Sequence, residues 1–454
     1  MSKVRSSGVA ERDVASQPRI CVIGAGPCGL AMAKNLLQVG FRNFVVFDRQ
    51  RQLGGNWVES DASGHSSVYE GVRSISSRRL TAFADLPFTA GTPDYPTRHQ
   101  LLRYLQSYAA TFGLVPYLQL NAEIAHVRRI EIGGWQVRLA TGQQQSFDHV
   151  IVCNGHHSRP RMPELPGKFT GQLLHSHDFK TSAPFAGKRA LVIGGGNSAA
   201  DIAVDLARRC GHATMSLRRG YRIIPRHLFG IPSDLLLRWF HWMPQWLLRA
   251  GAETLLRTLQ GAARHTGMPK PDHELFATHP LINSELPSAL AKGSIAIRCP
   301  VESIEGRTVR FSDGASIEVD VIVACTGYDP SFSFLDLDPA ELPPTCPLYL
   351  RIVQPRLPGV FFLGLFQPSG SIWPLADLQA KLLANYLSGR IALPLDPREM
   401  ERQSSEEIAT RRFKYVDSPR HRIEVDFYEY RRALLRAIPG DAPAWPHGLA
   451  GKPA

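Results

Sequence analysis

The chain has 454 residues, enough for two or more domains. Hydrophobic residues make up 44% and charged residues 20%, the balance of an ordinary soluble globular protein. The formal charge of +12 reads as a basic surface, part of which draws in cofactor phosphates; no motif supports nucleic-acid binding, and no apolar run approaches the roughly 18 residues of a membrane span.

Residues 1–18 carry charges but no apolar stretch of the kind found in secretion signals, so a frayed N-terminus and a cytoplasmic location are expected. The cysteines stand at 21, 28, 153, 210, 299, 325 and 346, with no CxxC pair. Four of them (Cys21, Cys28, Cys153, Cys325) lie in or beside strand-like apolar runs, as buried free thiols do. That pattern suits a reducing compartment and speaks against a metal cluster or a dithiol centre.

Ile20-Cys21-Val22-Ile23 reads as a short buried strand. The turn Gly24-Ala-Gly26-Pro-Cys-Gly29 follows at once, then a helical pattern with Leu30, Ala33, Leu36 and Leu37 on its apolar side, ending near Gly40. A second strand, Phe44-Val45-Val46-Phe47, ends at Asp48. This is a dinucleotide fingerprint in its required context: the glycines admit a pyrophosphate, and the helix N-terminus faces it. Asp48 is placed to accept hydrogen bonds from a ribose diol, which favours FAD or NAD, because a 2′-phosphate would meet a carboxylate. The next element, Leu53-Gly54-Gly55-Asn56-Trp57, is similar to a GGxW element of flavoprotein monooxygenases and tips the choice to FAD.

Ala190-Leu191-Val192-Ile193 opens a second such unit. Gly194-Gly-Gly196-Asn197-Ser198-Ala199 follows, then a helix through Ile202, Val204 and Leu206; Ala199 replaces the third glycine, which that position tolerates. The next strand ends in Arg218-Arg219-Gly220 instead of an acid. An arginine fork suits a 2′-phosphate, so the second nucleotide is NADPH, with a solvated basic corner as the plain alternative.

Two segments share one plan. Trp135-Gln-Val137-Arg-Leu139 leads to His149-Val150-Ile151-Val152-Cys153-Asn-Gly155, and Thr308-Val309-Arg-Phe311 leads to Asp320-Val321-Ile322-Val323-Ala324-Cys325-Thr326-Gly327. Each reads as a small β unit feeding a buried parallel strand. The second copy is expected to return the chain to the FAD domain. The expected fold is α/β with two Rossmann-like domains: FAD-binding at 18–180 and 293–454, with an NADPH-binding domain at 181–292 inserted.

Together with Phe169-Thr-Gly171-Gln-Leu-Leu-His175-Ser-His-Asp-Phe179-Lys180, these residues resemble the flavin-containing monooxygenases. That stretch matches the family's FxGxxxHxxx(F/Y) signature. Related Baeyer–Villiger enzymes end it with Trp and then Pro or Asp, so Phe179-Lys180 looks like the N- and S-oxygenating branch. Ala324-Cys-Thr326-Gly327-Tyr328 is similar to the family's ATGY element, and Gly364-Leu-Phe-Gln367-Pro368-Ser-Gly370-Ser371-Ile-Trp-Pro374 to its flavin-side GxxQPxGSxxP segment. Asn283-Ser-Glu285-Leu-Pro287 and Arg420-His421-Arg-Ile-Glu-Val425-Asp426 also resemble family segments.

The resemblance implies that NADPH reduces FAD, and that reduced flavin captures O2 as a C4a-hydroperoxide. The hydroperoxide gives one oxygen to a nucleophilic amine, indole or sulfide. It implies FAD contacts at Gly24, Gly26, Gly29, Asp48, Gly55, Trp57, Gly327 and Gln367, and NADPH contacts at Gly194, Gly196, Asn197, Ser198, Arg218 and Arg219. No side chain need act as a general acid or nucleophile. The family's flavin-edge asparagine falls on Ile75, which cannot donate a hydrogen bond. Ser74, Ser76 and Ser77 flank it, and Ser76 is a weak candidate to substitute. An oxidase releasing H2O2, Baeyer–Villiger oxygenation, a flavin disulfide reductase and a non-catalytic scaffold are the rival readings.

Three further features are ambiguous. Trp239, Trp242 and Trp246 fall at helical spacing around Pro244; a buried stripe is expected, with a substrate lid, a homodimer face or peripheral membrane contact as alternatives. His156-His157 lacks a third ligand at metal spacing and reads as a loop. His175 reads as structural, linking the two domains.

Overall fold

A computed structural model describes residues 16–59, 64–240, 243–260, 267–275, 277–343, 347–394, 396–409, 415 and 422–438. The expected frayed N-terminus, Cys346, Trp242, Arg420 and His421 lie outside the described residues, as does the side chain of Trp239.

Two five-stranded parallel sheets organise the chain. The first runs Val360–Phe362, His149–Val152, Ile20–Ile23, Phe44–Phe47, Leu118–Gln119. The second runs Gln172–His175, Val321–Ala324, Ala190–Ile193, Ala213–Ser216, Ile295–Arg298. Ile20–Ile23 and Val321–Ala324 are buried at every position, which is why they read as continuous apolar runs without alternation.

Each glycine turn leads into a helix. Pro27–Val39 has proline at its start and ends at Gly40, whose φ of +100° only glycine adopts cheaply. Its buried face, including Leu30, Met32 and Leu36, packs with Leu375, Leu382 and Leu383 of the helix Ile372–Leu387. Each such side chain contributes about 1.5–3 kcal/mol on burial. Lys34, also buried in that contact, is held by Asp85 and Asp377 at 2.8 Å each, so no charge is left unpaired. In the second unit Ala199, Ile202, Ala203 and Leu206 of Asn197–Cys210 pack over the second sheet with Val192, Met215 and Val323.

The internal echo is a repeat at the level of pairing. An antiparallel meander over 124–147 precedes His149–Val152, which pairs with the strand before the first turn. A meander over 301–318 precedes Val321–Ala324, which pairs with the strand before the second. A Cβ on Gly24 would sit 2.6 Å from the Cys153 carbonyl oxygen, and one on Gly194 would sit 2.4 Å from that of Cys325. Both turns are glycine because the neighbouring strand end passes against them.

This pairing places one expected strand in the other sheet. Val321–Ala324 does not return to the first sheet; it lies beside Ala190–Ile193, and Gln172–His175 joins the same sheet from the other direction. The chain re-enters the first sheet only at Val360–Phe362. The sheet built on the second turn therefore draws strands from both sides of 181–292. The reason is physical: an apolar strand of this kind fits either sheet, and only long-range pairing decides between them.

The tryptophan stripe is corrected in part. Helices Ser233–Phe240 and Gln245–Gln260 break around Pro244 as expected, with Leu235 and Leu256 buried, but Trp246 is 70% exposed.

Candidate functional site

The first turn opens onto a cleft of about 600 Å3. Its walls include Gly24, Gly26, Asp48, Arg49, Trp57, His156, Ile372 and Trp373. Gly55 lines it too, and its backbone lies directly against Gly26: a Cβ there would be 2.8 Å from the Gly26 Cα, at a φ of +57°. Gly54 donates its N–H to the Ala25 carbonyl at 3.0 Å. The GGxW element is thus clamped to the nucleotide turn by the absence of side chains. Trp57 then meets Trp373 edge-on, ring centroids 6.3 Å apart.

Asp48 is 9% exposed. Its carboxylate accepts from Ala25 N at 2.6 Å and Gln50 N at 2.8 Å. Each carboxylate oxygen can accept more than one donor, so capacity remains for a ribose diol. Bare backbone at Gly24 and Gly26, a helix N-terminus, a carboxylate and two tryptophans in one cleft fit FAD. Gly29 does not line the cleft; a Cβ there would be 1.8 Å from the Gly24 carbonyl oxygen, so it shapes the turn itself. Gly327 is not brought to the cleft either. It follows the strand of the second sheet and accepts from Arg161 N at 2.9 Å, just before Tyr328, which pairs with the cleft residue Pro160.

Gln367 stands behind the wall. Its amide lies 3.4 Å from His156 Nε2 and 3.4 Å from His279 Nε2. Burial lowers the pKa of His156 and keeps its ring neutral. Cys28 and Cys153 also line the cleft, but burial pushes Cys28 up to about 12 and Cys153 well above the ordinary thiol range. Neither is a thiolate nucleophile near neutral pH.

At the second turn, Gly194 is in the left-handed region at φ +130° and Gly196 precedes the helix Asn197–Cys210. Asn197 is turned to the protein: Oδ1 accepts from Ile282 N at 2.8 Å, and Nδ2 donates to the Pro280 carbonyl at 3.0 Å. Ser198 is half-buried in the first helical turn. Arg218 is exposed and Arg219 half-buried beyond the strand Ala213–Ser216, where a 2′-phosphate would be met. Tyr221 lies so close over the turn that a Cβ on Gly195 would be 2.0 Å from its ring. Bare glycines, a helix start and two arginines fit NADPH.

Ile75 is half-buried and is not part of the cleft wall. Its neighbours are engaged elsewhere: Ser74 Oγ donates to the Ser76 carbonyl at 2.7 Å, and Ser76 Oγ is 2.9 Å from Thr81 Oγ1. Ser77 N donates to Asp234 Oδ2 at 2.6 Å.

The family signature has packing reasons. A Cβ on Gly171 would be 2.5 Å from both the Phe169 ring and the Asp320 carbonyl oxygen. Phe179 is 1% exposed and stacks on Phe185 at 6.0 Å. His175 is buried at the end of the edge strand, with its Nδ1 accepting from His177 N at 3.0 Å. Lys180 Nζ donates to the carbonyls of Ser66 at 2.7 Å and His177 at 2.6 Å.

His156, His279 and Glu424 were not legible as a group, since they come from three distant segments. A signal existed for two of them: His279 stands just before the Asn283 segment, and Glu424 inside the Arg420 segment. The structure gives those segments roles. Asn283 Oδ1 accepts from Glu285 N and Leu286 N at the start of Leu286–Ala291, and Asp426 caps Phe427–Ala437.

A profile of the family described as Flavin-binding monooxygenase-like matches residues 17–446. Flavin-containing monooxygenase 5 of Oryctolagus cuniculus is 34% identical over 439 residues, covering 90% of this chain and 81% of that protein. Dimethylaniline monooxygenase [N-oxide-forming] 2 of Rattus norvegicus is 33% identical over 427 residues, covering 88% and 78%. Among solved structures, S-allyl-L-cysteine S-oxygenase from Allium sativum superposes with a TM-score of 0.70 at 24% identity, covering 94% of this chain and 89% of that one. An open form of cyclohexanone monooxygenase gives 0.70 at 19%, covering 92% and 97%.

Proposed function

The chain belongs to the flavin-binding monooxygenase-like family, and on that premise we propose that this FAD- and NADPH-dependent monooxygenase oxygenates a nucleophilic nitrogen or sulfur atom of a small amine, indole or sulfide. Bound FAD supplies what no side chain can: acceptance of a hydride from NADPH and activation of O2. One oxygen atom goes to the substrate and the other leaves as water.

The protein's own share is binding, orientation and exclusion of water. Gly24, Gly26 and Gly55 carry the FAD backbone contacts and Asp48 the ribose contact. Gly194, Gly196, Arg218 and Arg219 hold NADPH, and Asn197 braces the segment beside it. Trp57, Ile372 and Trp373 give the cleft apolar lining, which excludes water where loss to H2O2 would otherwise occur.

The observation that carries the reading is the chemistry of that cleft. Bare glycine backbone, the Asp48 carboxylate and the rings of Trp57 and Trp373 line it together, which suits a bound flavin; burial holds the Cys28 and Cys153 thiols protonated and His156 neutral, and the chain has no CxxC pair, which speaks against a disulfide reductase. Nitrogen or sulfur oxygenation is favoured over the Baeyer–Villiger alternative by Phe179-Lys180. Lys180 is built in through its bonds to Ser66 and His177. Likeness to S-allyl-L-cysteine S-oxygenase and to cyclohexanone monooxygenase bears on the fold alone.

The test is turnover of FAD-loaded protein with NADPH against a panel of tertiary amines, indoles, sulfides and cyclic ketones, with product and H2O2 both quantified. N- or S-oxide matching the NADPH consumed supports the reading. Lactone from the ketones, with no oxide, would replace it.

A further inference from the structure

Glu424 is 1% exposed and Gln367 lies opposite it in a parallel strand pair. A carboxyl group so far from solvent is costly unless something faces it. What faces it is His279: Oε1 of Glu424 is 3.4 Å from Nδ1 of His279, and neither atom completes a hydrogen bond to any other group among the described residues. His279 Nε2 is 3.4 Å from the Gln367 amide, and that amide is 3.4 Å from His156 on the cleft wall. Every link is about 0.5 Å longer than an ordinary hydrogen bond. The row is continuous, with Glu424, His279 and His156 buried and Gln367 half-buried.

It also crosses between the two units. His279 precedes the strand Leu281–Ile282, which pairs with Ile223–Ile224 downstream of the second turn. The backbone on either side of Leu281 is gripped by Asn197, the first residue of the helix on that turn. Glu424, Gln367 and His156 belong to the part of the chain around the first cleft. Glu424 lies just before the helix Phe427–Ala437, whose cap, Asp426, is two residues later.

Resting on the two-cofactor reading above, we propose that Glu424 is a positioning residue: its carboxyl group orients His279, and through Gln367 and His156 ties the segment braced by Asn197 to the wall of the flavin cleft. An unpaired buried polar group is costly, so Glu424 and His279 favour the arrangement that brings them together. NADPH at the second turn is thereby felt at the flavin without touching Glu424.

The experiment uses FAD-loaded protein and NADP+ as probe, with no turnover. The readouts are the FAD dissociation constant by flavin fluorescence, the NADP+ dissociation constant by calorimetry, and the change in the visible flavin spectrum as NADP+ binds. Glu424→Ala is expected to leave FAD affinity unchanged, weaken NADP+ about tenfold and abolish the spectral change. Glu424→Gln, which keeps an acceptor oxygen, is expected to restore most of both. His279→Ala removes the same link from the other side and is expected to match Glu424→Ala. The proposal falls if either His279→Ala or Glu424→Ala keeps the wild-type spectral change, or if FAD affinity drops in step with that of NADP+. Failure of the two-cofactor reading looks different: wild-type protein would not bind NADP+ at all.

Discussion

Gly55→Ala isolates the close contact on which the FAD cleft is built. Two costs combine at this position. The φ of +57° is left-handed, which costs a residue with a Cβ about 1–2 kcal/mol. The new Cβ would also be 2.8 Å from the Gly26 Cα, and backbone on both sides cannot yield as a flexible side chain would. The GGxW element must lift off the first turn, taking Trp57 with it. Gly91→Ala is the control, because Gly91 has φ +81° with nothing within 4 Å of the methyl group it would gain, so it carries the conformational cost alone. Thermal unfolding of both variants, with FAD titration followed by flavin fluorescence, separates the two terms. Gly91→Ala is expected to lower stability by about 1–2 kcal/mol at unchanged FAD affinity. Gly55→Ala is expected to lose more stability than that and to bind FAD at least about tenfold more weakly, since 1.4 kcal/mol is tenfold. Equal stability losses with equal FAD affinity would refute the clamp.

Arg218→Ala is expected to remove a charge-assisted contact of about 1.5–3 kcal/mol. NADPH affinity then falls by one to two orders of magnitude while NADH is unaffected; equal losses for the two coenzymes would contradict the assignment of the 2′-phosphate. Because Ile75 does not line the cleft, Ile75→Asn is expected to leave the fraction of NADPH oxidation lost to H2O2 unchanged; an altered peroxide yield would place Ile75 at the chemistry. Burial lowers the pKa of His149 and of His156, so the folded chain binds fewer protons than the unfolded chain, whose histidines titrate near about 6.5. Stability is therefore expected to fall as pH drops below about 6.5, by up to about 1.4 kcal/mol per pH unit for each histidine. Asp201 and Asp234, pushed up by burial, act in the opposite sense nearer the carboxylate range. Melting temperatures between pH 7.5 and 5.5 check this, and His149→Asn should flatten the slope.

What was legible in the sequence was local. Each strand, turn and helix start around Gly24 and Gly194 is written in consecutive residues, because the turn glycines and the buried apolar strands have a chemistry that no other arrangement demands. Gly55 was legible as an element but not as a clamp, since its contact with Gly26 depends on where the chain returns. The assignment of Val321–Ala324 failed for the same reason: Val-Ile-Val-Ala suits any buried parallel strand, and its partner Ala190–Ile193 is far away in the chain. His156 read as a loop residue because nothing adjacent to it signals burial. Its neighbours Gln367, His279 and Glu424 are brought together by two short strand pairings and a side-chain brace from Asn197, none of which has a periodic signature.

The measurement closest to the central claim is turnover under 18O2 with a tertiary amine or sulfide found in the panel, following NADPH, H2O2 and the mass of the product together. The account predicts product carrying one 18O atom for each NADPH consumed, with little H2O2. NADPH consumption matched by H2O2, with no labelled product from any amine, indole or sulfide, would contradict it.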